Sequence, residues 1–276
     1  MQRTLVFNHA NGFPSGTYRV LFDLWRAAGW RVIALPQIGH DPAYPVTAHW
    51  PRLREQLTRF IEAEAPGQRV QLVGHSLGGF LSLMAAARRP DLADRVVMID
   101  SPVVAGWRAH SLQMLKVTGL YKRVSPSRVS SGRRWQWPSV EAAHAHFAAK
   151  AVFARWDPRV LRDYIACGTE PDLALRAAGQ PEAVRLAFHR DIESRIYDTL
   201  PHRLTTYLRR HPPPGPVSFI AGTQSVELRQ AGLAATRALT HGRIEWIEGS
   251  HLFPMEKPDE TAAAVLRALD AKFEVA

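Results

Sequence analysis

The sequence predicts an α/β fold, a mostly parallel twisted sheet flanked by helices and interrupted by a helical insertion. Three observations predict it. Apolar runs of strand length alternate with amphipathic runs of helical length, first over residues 4–102 and again from residue 217, and such alternation builds a parallel sheet through right-handed crossovers. Residues 69–84 read as a strand, an abrupt turn around Gly74-His75-Ser76-Leu77-Gly78, and a helix. Between residues 103 and 214 the strand pattern stops and helical, aromatic-rich segments take over.

Leu5, Val6 and Phe7 make the first buried strand, which runs into the loop Asn8-His-Ala-Asn-Gly-Phe-Pro14. Residues 17–28 form a helix with Val20, Leu21, Leu24 and Ala28 on one face and Gly29 as its stop. Residues 31–35 are the second strand, followed by a loop holding His40 and Asp41; two adjacent residues do not converge on a metal, so these are read as loop polar groups. A helix over 46–64 turns Trp50, Leu53, Leu57, Phe60 and Ile61 inward and ends at Pro66-Gly67. Val70, Leu72 and Val73 suit a buried strand, and Phe80, Leu81 and Met84 then recur at helical spacing. Residues 95–99 are a fourth strand with Asp100 at its C-terminal end, so parallel packing sets Ser76 and Asp100 on one rim of the sheet.

Within 103–214 helices are expected over 111–119, 139–155, 159–166, 181–186 and 192–207, with no alternating strand pattern among them. Trp107, Trp135, Trp137, Phe147, Phe153, Trp156, Tyr164, Phe188 and Tyr197 make this stretch aromatic, and about half of them serve its own packing. His211-Pro-Pro-Pro-Gly-Pro216 is a stiff linker back to the sheet. Strands over 217–221 and 243–247, a helix over 227–239 and a last helix over 257–272, carrying Ala264, Val265, Leu269 and Phe273, complete the chain.

The turn at Ser76 follows the pattern G-x-S-x-G, with glycines two residues before and two after the serine. A strand that becomes a helix so abruptly drives any Cβ at those positions into neighbouring backbone. The hydroxyl is left at the tip, at the positive end of the helix, where an attacking oxygen is useful. In this strand-to-helix setting the segment resembles the nucleophile elbow of the α/β-hydrolase family, and the resemblance covers essentially the whole chain. It implies a core of residues 1–102 and 215–276 with residues 103–214 as a helical cap or lid.

Composition narrows the class. The 276 residues are 46% apolar, which suffices for one large core. One cysteine, Cys167, precludes an intramolecular disulfide framework and fits a reducing compartment. The N-terminus runs directly into a strand and no run reaches membrane-spanning length, so a soluble cytoplasmic protein without an integral membrane segment is expected. The net charge of +10 is almost all arginine, scattered through alanine-rich helices rather than gathered on a face or tail. That argues against a nucleic-acid partner. No cofactor or metal is implied.

A serine hydroxyl needs a base to take its proton. Of the 12 histidines, His251 lies in a glycine-containing loop after the last strand, and Gly249-Ser-His followed by an apolar residue and a proline resembles the family's histidine loop. His75 is read as a packing residue. The acid is expected at Asp100. In most of the family it follows the strand after the cap, about three residues past a glycine, but here that position holds Ser225, with Glu227 as the alternative two residues on. Asp100 matches the branches that keep the acid after the strand following the elbow helix, and gives the order Ser, Asp, His.

The oxyanion hole is expected from the backbone N–H of Leu77 and one from Ala10 or Asn11, with two registers open for the loop after the first strand. Either His9 takes the place of the family histidine and Asn11 donates, which is favoured, or Asn11 takes that place and Phe13 donates. The implied activity is hydrolysis of an ester or thioester, with a hydrophobic acyl or aryl group, through an acyl-enzyme. A carbon–carbon bond hydrolase of the same fold and a catalytically silent ligand-binding member are the alternatives, the latter kept open by the missing carboxylate at 225.

Overall fold

The computed structural model describes residues 2–104, 132–202 and 204–271. Its main sheet has six parallel strands in the order β2-β1-β3-β4-β8-β9. These are β1 (Thr4–Asn8), β2 (Arg31–Ala34), β3 (Val70–His75), β4 (Ala93–Ile99), β8 (Val217–Gly222) and β9 (Ile244–Ile247).

Side chains on a strand alternate between faces, and here they divide into two cores. Leu5, Phe7, Val73, Val97, Ile99 and Ile220 pack with α1 (Arg19–Ala27) and α12 (Pro258–Asp270). Val6, Leu72, Val96, Met98 and Phe219 pack on the other face with α2 (Pro51–Glu64), α3 (Leu77–Arg88) and α8 (Leu204–Arg210). Burying both faces explains why the strands read as unbroken apolar runs.

Several helices are shorter or more divided than the sequence pattern predicts, each for a local reason. The 17–28 segment opens as a 3-10 turn, Ser15–Tyr18, before α1. The 46–64 segment becomes helical only at Pro51, because His49 and Trp50 sit at φ of 64° and 59°, and proline suits a first helical position. Gly232, at φ 77°, divides the 227–239 segment into α9 (Val226–Ala231) and α10 (Ala234–Thr240). Phe253–Glu256 forms a short α11.

Between β4 and β8 the described residues form α4 (Val140–Ala148), α5 (Pro158–Gly168), α6 (Leu173–Ala177), α7 (Arg190–Asp198) and α8. They also form a small antiparallel sheet that the sequence reading did not foresee, from β5 (Gln136–Trp137), β6 (Thr169–Pro171) and β7 (Val184–Leu186) in the order β5-β7-β6. The helix expected over 181–186 is instead β7, whose Val184 and Leu186 point inward and Arg185 outward; three residues carry too little period for sequence to distinguish strand from helix. The helix expected over 192–207 breaks into α7 and α8 around Pro201, since proline disfavours helical backbone in the residue before it. Trp107, the 111–119 helix and Phe273 lie outside the described residues. Trp137, Phe147, Trp156, Tyr164 and Phe188 are all buried in packing. Among the described residues no helix is long and apolar enough to cross a membrane.

Candidate active site

Ser76 sits between β3 and α3 at φ 52°, ψ −114°, a conformation that costs a non-glycine residue about 1–3 kcal/mol. The surroundings hold it there. Its N–H donates to the Ile99 carbonyl at 3.0 Å, and its own carbonyl accepts from the Ser101 hydroxyl at 2.9 Å. The turn closes so tightly that a Cβ on Gly74 would lie 2.2 Å from the Gly78 backbone, and one on Gly78 would lie 1.9 Å from the Asn8 carbonyl oxygen. Both glycines are therefore steric requirements of the turn.

Asp100 follows β4 and is fully buried, again at positive φ, 43°. Its backbone N–H donates to the Ile220 carbonyl at 2.9 Å, anchoring it to β8. One carboxylate oxygen accepts from the Gly222 N–H at 3.0 Å. The other accepts from the Ser225 hydroxyl at 2.5 Å and from His251 Nδ1 at 2.6 Å. Ser225 in turn caps α9, taking the Leu228 N–H at 3.0 Å, so its single hydroxyl hydrogen is directed to Asp100. Glu227, half exposed, leaves its nearer oxygen 3.9 Å from His251 Nδ1. The structure thus brings His251 and Asp100 into direct contact, holds Glu227 farther off, and puts Ser225 in service of the carboxylate.

A carboxylate facing Nδ1 fixes the proton there and leaves Nε2 free to act as a base. Burial opposes protonation of His251. The hydrogen bond that the ring donates to Asp100 and the charges of Glu227 and Asp100 outweigh it, so the pKa lies above the ordinary 6.5. Donor atoms of Asp100, Glu227 and His251 converge within 4.8 Å. The hydrogen-bonded Nδ1, however, has no lone pair to offer a cation.

On the oxyanion side, Leu77 is the first residue of α3, where helical N–H groups lack an intrahelical acceptor. Of the three candidates in the β1 loop, the Ala10 N–H is already bonded to the Tyr18 hydroxyl oxygen at 3.2 Å and the Phe13 N–H to the Ala10 carbonyl at 3.2 Å. Asn11 is buried, its side-chain amide donating to the Glu193 carbonyl at 3.0 Å. His9 is fully buried; Nδ1 faces the Ala10 carbonyl at 2.8 Å, and Nε2 accepts from the Ile38 N–H at 2.8 Å. Burial lowers its pKa to about 4, so it is a neutral stitch between two rim loops. Phe13 lies against Trp156 and Tyr164, with ring centroids 5.6 and 5.7 Å away. His40, in the loop after β2, accepts the His189 N–H at 3.0 Å.

Two residues near the site escaped sequence reasoning. Glu193 of α7 is buried beneath Gly12, where an added Cβ would lie 3.0 Å from its carboxyl, and Arg133 pairs with it at 2.6 Å. They stand 60 residues apart, and no spacing rule links them.

A six-stranded parallel sheet with a strained serine at a strand-to-helix turn and a histidine–carboxylate pair on the same rim defines a class of hydrolase-like α/β proteins. The model of the alpha/beta hydrolase family matches residues 5–264, and the chain belongs to that family. Its sequence is 38% identical to the probable esterase PIR7A of Oryza sativa subsp. indica over 99 residues, which span 34% of this chain and 37% of that protein. In structure it resembles E-2-(acetamidomethylene)succinate hydrolase, with TM-score 0.72, 23% identity, and 98% of this chain and 92% of the other covered. The thioesterase domain from the curacin biosynthetic pathway is similar too, with TM-score 0.69, 18% identity, and coverage of 96% and 91%. These structural likenesses speak to the fold.

Proposed function

We propose that this hydrolase cleaves a carboxylic ester or thioester with a hydrophobic acyl or aryl group through an acyl-enzyme on Ser76. The reading rests above all on the 2.6 Å contact between His251 Nδ1 and a buried Asp100 that Gly222 and Ser225 also hold. Ser76 Oγ attacks the carbonyl carbon as His251 Nε2 takes its proton. The resulting oxyanion meets the N–H groups of Leu77 and Asn11, each such donor contributing about 3 kcal/mol to the barrier reduction. Asp100 stabilises the imidazolium. Collapse of the intermediate expels the alcohol or thiol, which leaves with the proton from His251, and a water activated by the same histidine releases the acid.

The insertion between β4 and β8 acts as a cap over the rim in this reading, and its contact with Phe13 supports that role. The resemblance to the probable esterase favours the ester class, and the structural likeness to a thioesterase domain keeps thioesters in it.

The test is labelling with a fluorophosphonate probe, followed by a panel of p-nitrophenyl esters, acyl-coenzyme A thioesters and a dienone. Wild type should be labelled, Ser76→Ala should not, and ester or thioester turnover should exceed that of the dienone. Unlabelled wild type, or equal labelling of Ser76→Ala, sinks the reading; a preference for the dienone replaces it with carbon–carbon bond hydrolysis.

A further inference from the structure

Three hydrogen bonds join the two sides of the site behind Ser76. The Ala10 N–H donates to the Tyr18 oxygen at 3.2 Å, Tyr18 Oη lies 2.8 Å from His75 Nδ1, and His75 Nε2 lies 2.9 Å from the His251 carbonyl oxygen. Ala10, Tyr18 and His75 are all buried.

The direction of each bond is forced. A carbonyl oxygen only accepts, so His75 Nε2 carries a hydrogen. Burial, followed by the nearby charge of His251, pushes the His75 pKa well below 6.5, so the ring is neutral and Nδ1 is bare. Tyr18 must then donate to Nδ1, and its oxygen lone pair is what remains for the Ala10 N–H. All three bonds are satisfied in one arrangement only.

We propose that Tyr18 and His75 are positioning residues, forming a relay from the Ala10 amide to the His251 carbonyl that sets the oxyanion loop and the catalytic base in one geometry. This rests on the serine-hydrolase reading above. His251 is then fixed at two points, its ring by Asp100 and its main chain by His75. With the Ala10 N–H committed to Tyr18, the peptide plane preceding Ala10 is oriented; the Ala10 carbonyl of the next plane faces His9 Nδ1 and accepts the Phe13 N–H, and the second oxyanion donor falls to Asn11. The relay also keeps the imidazole whose centroid lies 5.0 Å from that of His251 neutral, so no second cation opposes the imidazolium of the transition state. The groups facing this pair are Asp100 and Glu227 at His251, and His9 and Tyr18 at His75.

The experiment compares wild type with Tyr18→Phe, His75→Leu, His75→Gln and, as a control for loss of a half-buried tyrosine hydroxyl elsewhere, Tyr207→Phe, whose hydroxyl donates to the Met84 carbonyl. Tyr18→Phe and His75→Leu should each lower kcat about tenfold or more with KM within about twofold, as expected when buried partners are left unpaired. His75→Gln, which keeps a donor for the His251 carbonyl, should recover most of kcat, and Tyr207→Phe should match wild type. Wild-type kcat in Tyr18→Phe, or a loss confined to KM, overturns the proposal.

Imidazole 15N shifts provide a readout independent of activity. His75 in the wild type should be the neutral Nε2–H tautomer across the accessible pH range, and an Nδ1–H tautomer or a protonated ring overturns the relay. Absence of fluorophosphonate labelling defeats the hydrolase reading while leaving the tautomer measurable, so the two failures are distinct.

Discussion

Two neighbouring strand ends meet at His251 and contribute opposite things to it. The turn after β4 supplies a carboxylate that is buried, at positive φ, and held by two donors besides the histidine. The turn after β8, where a hydrolase of this kind usually carries its acid, supplies a backbone N–H and a hydroxyl that receive that carboxylate. Glu227 on the β8 side stands half exposed at 3.9 Å, so it adds charge without a fixed geometry. The hold on His251 is thus shared across β4 and β8, one strand giving the charge and the other the hydrogen bonds that aim it.

The largest expected effect comes from removing that charge. Asp100→Asn should keep the fold and lower kcat by about 10³–10⁴-fold, because the wrong tautomer of His251 is then favoured. It should also move the acidic limb of kcat/KM to lower pH, since the bond that raises the histidine's pKa is gone. In wild type that limb should lie above pH 6.5, because a histidine that serves as the base works only when neutral.

Moving the acid across the pair sharpens the comparison. Asp100→Asn combined with Ser225→Asp should recover about tenfold or more over Asp100→Asn alone, because position 225 already reaches the same carboxylate oxygen that bonds the histidine. No recovery in single-turnover kinetics would mean that the β8 turn cannot present a carboxylate to His251. A smaller loss follows from Ser225→Ala. Deleting one donor to a buried charge should cost about 1.5–3 kcal/mol, or roughly tenfold to a hundredfold in kcat if it falls wholly on the transition state. The smallest effect is that of Glu227→Gln, with kcat within about twofold and the acidic limb shifted slightly downward, as expected for a partly solvated charge. A loss from Glu227→Gln as large as that from Asp100→Asn would reverse the assignment of the acid.

Much of this was legible in the chain. The strand and helix periods, the glycines around Ser76 and the loop at Gly249 were enough to anticipate a parallel sheet with Ser76, Asp100 and His251 as its candidates, because each signal is local. Less visible were features that depend on tertiary geometry. The positive φ of Ser76 and Asp100 is imposed by neighbours on β4 and β8, and neither residue type announces it. Ser225 read as a missing acid, although its place at the start of α9 marked it as a helix cap and so left its hydroxyl hydrogen to donate elsewhere. The small sheet β5-β7-β6 was lost because its strands are two or three residues long. His75 reads as a packing residue, because the partners of its two ring nitrogens stand 57 and 176 residues away.

The pairing of β4 with β8 limits how the insertion can be remodelled. The two strands are parallel, with Ile99 beside Ile220 and Val96 beside Val217. The chain therefore leaves β4 at the upper edge of the sheet and must re-enter β8 from the lower edge. That descent runs through α8, which packs with the sheet through Leu204 and Leu208 and reaches α3 through the Tyr207 hydroxyl. A foreign lid spliced between β4 and β8 would have to end before Leu204, leaving α8 to carry the chain down the face. A lid spliced beyond it would take away the crossover that lets the β8 turn rise to meet Asp100.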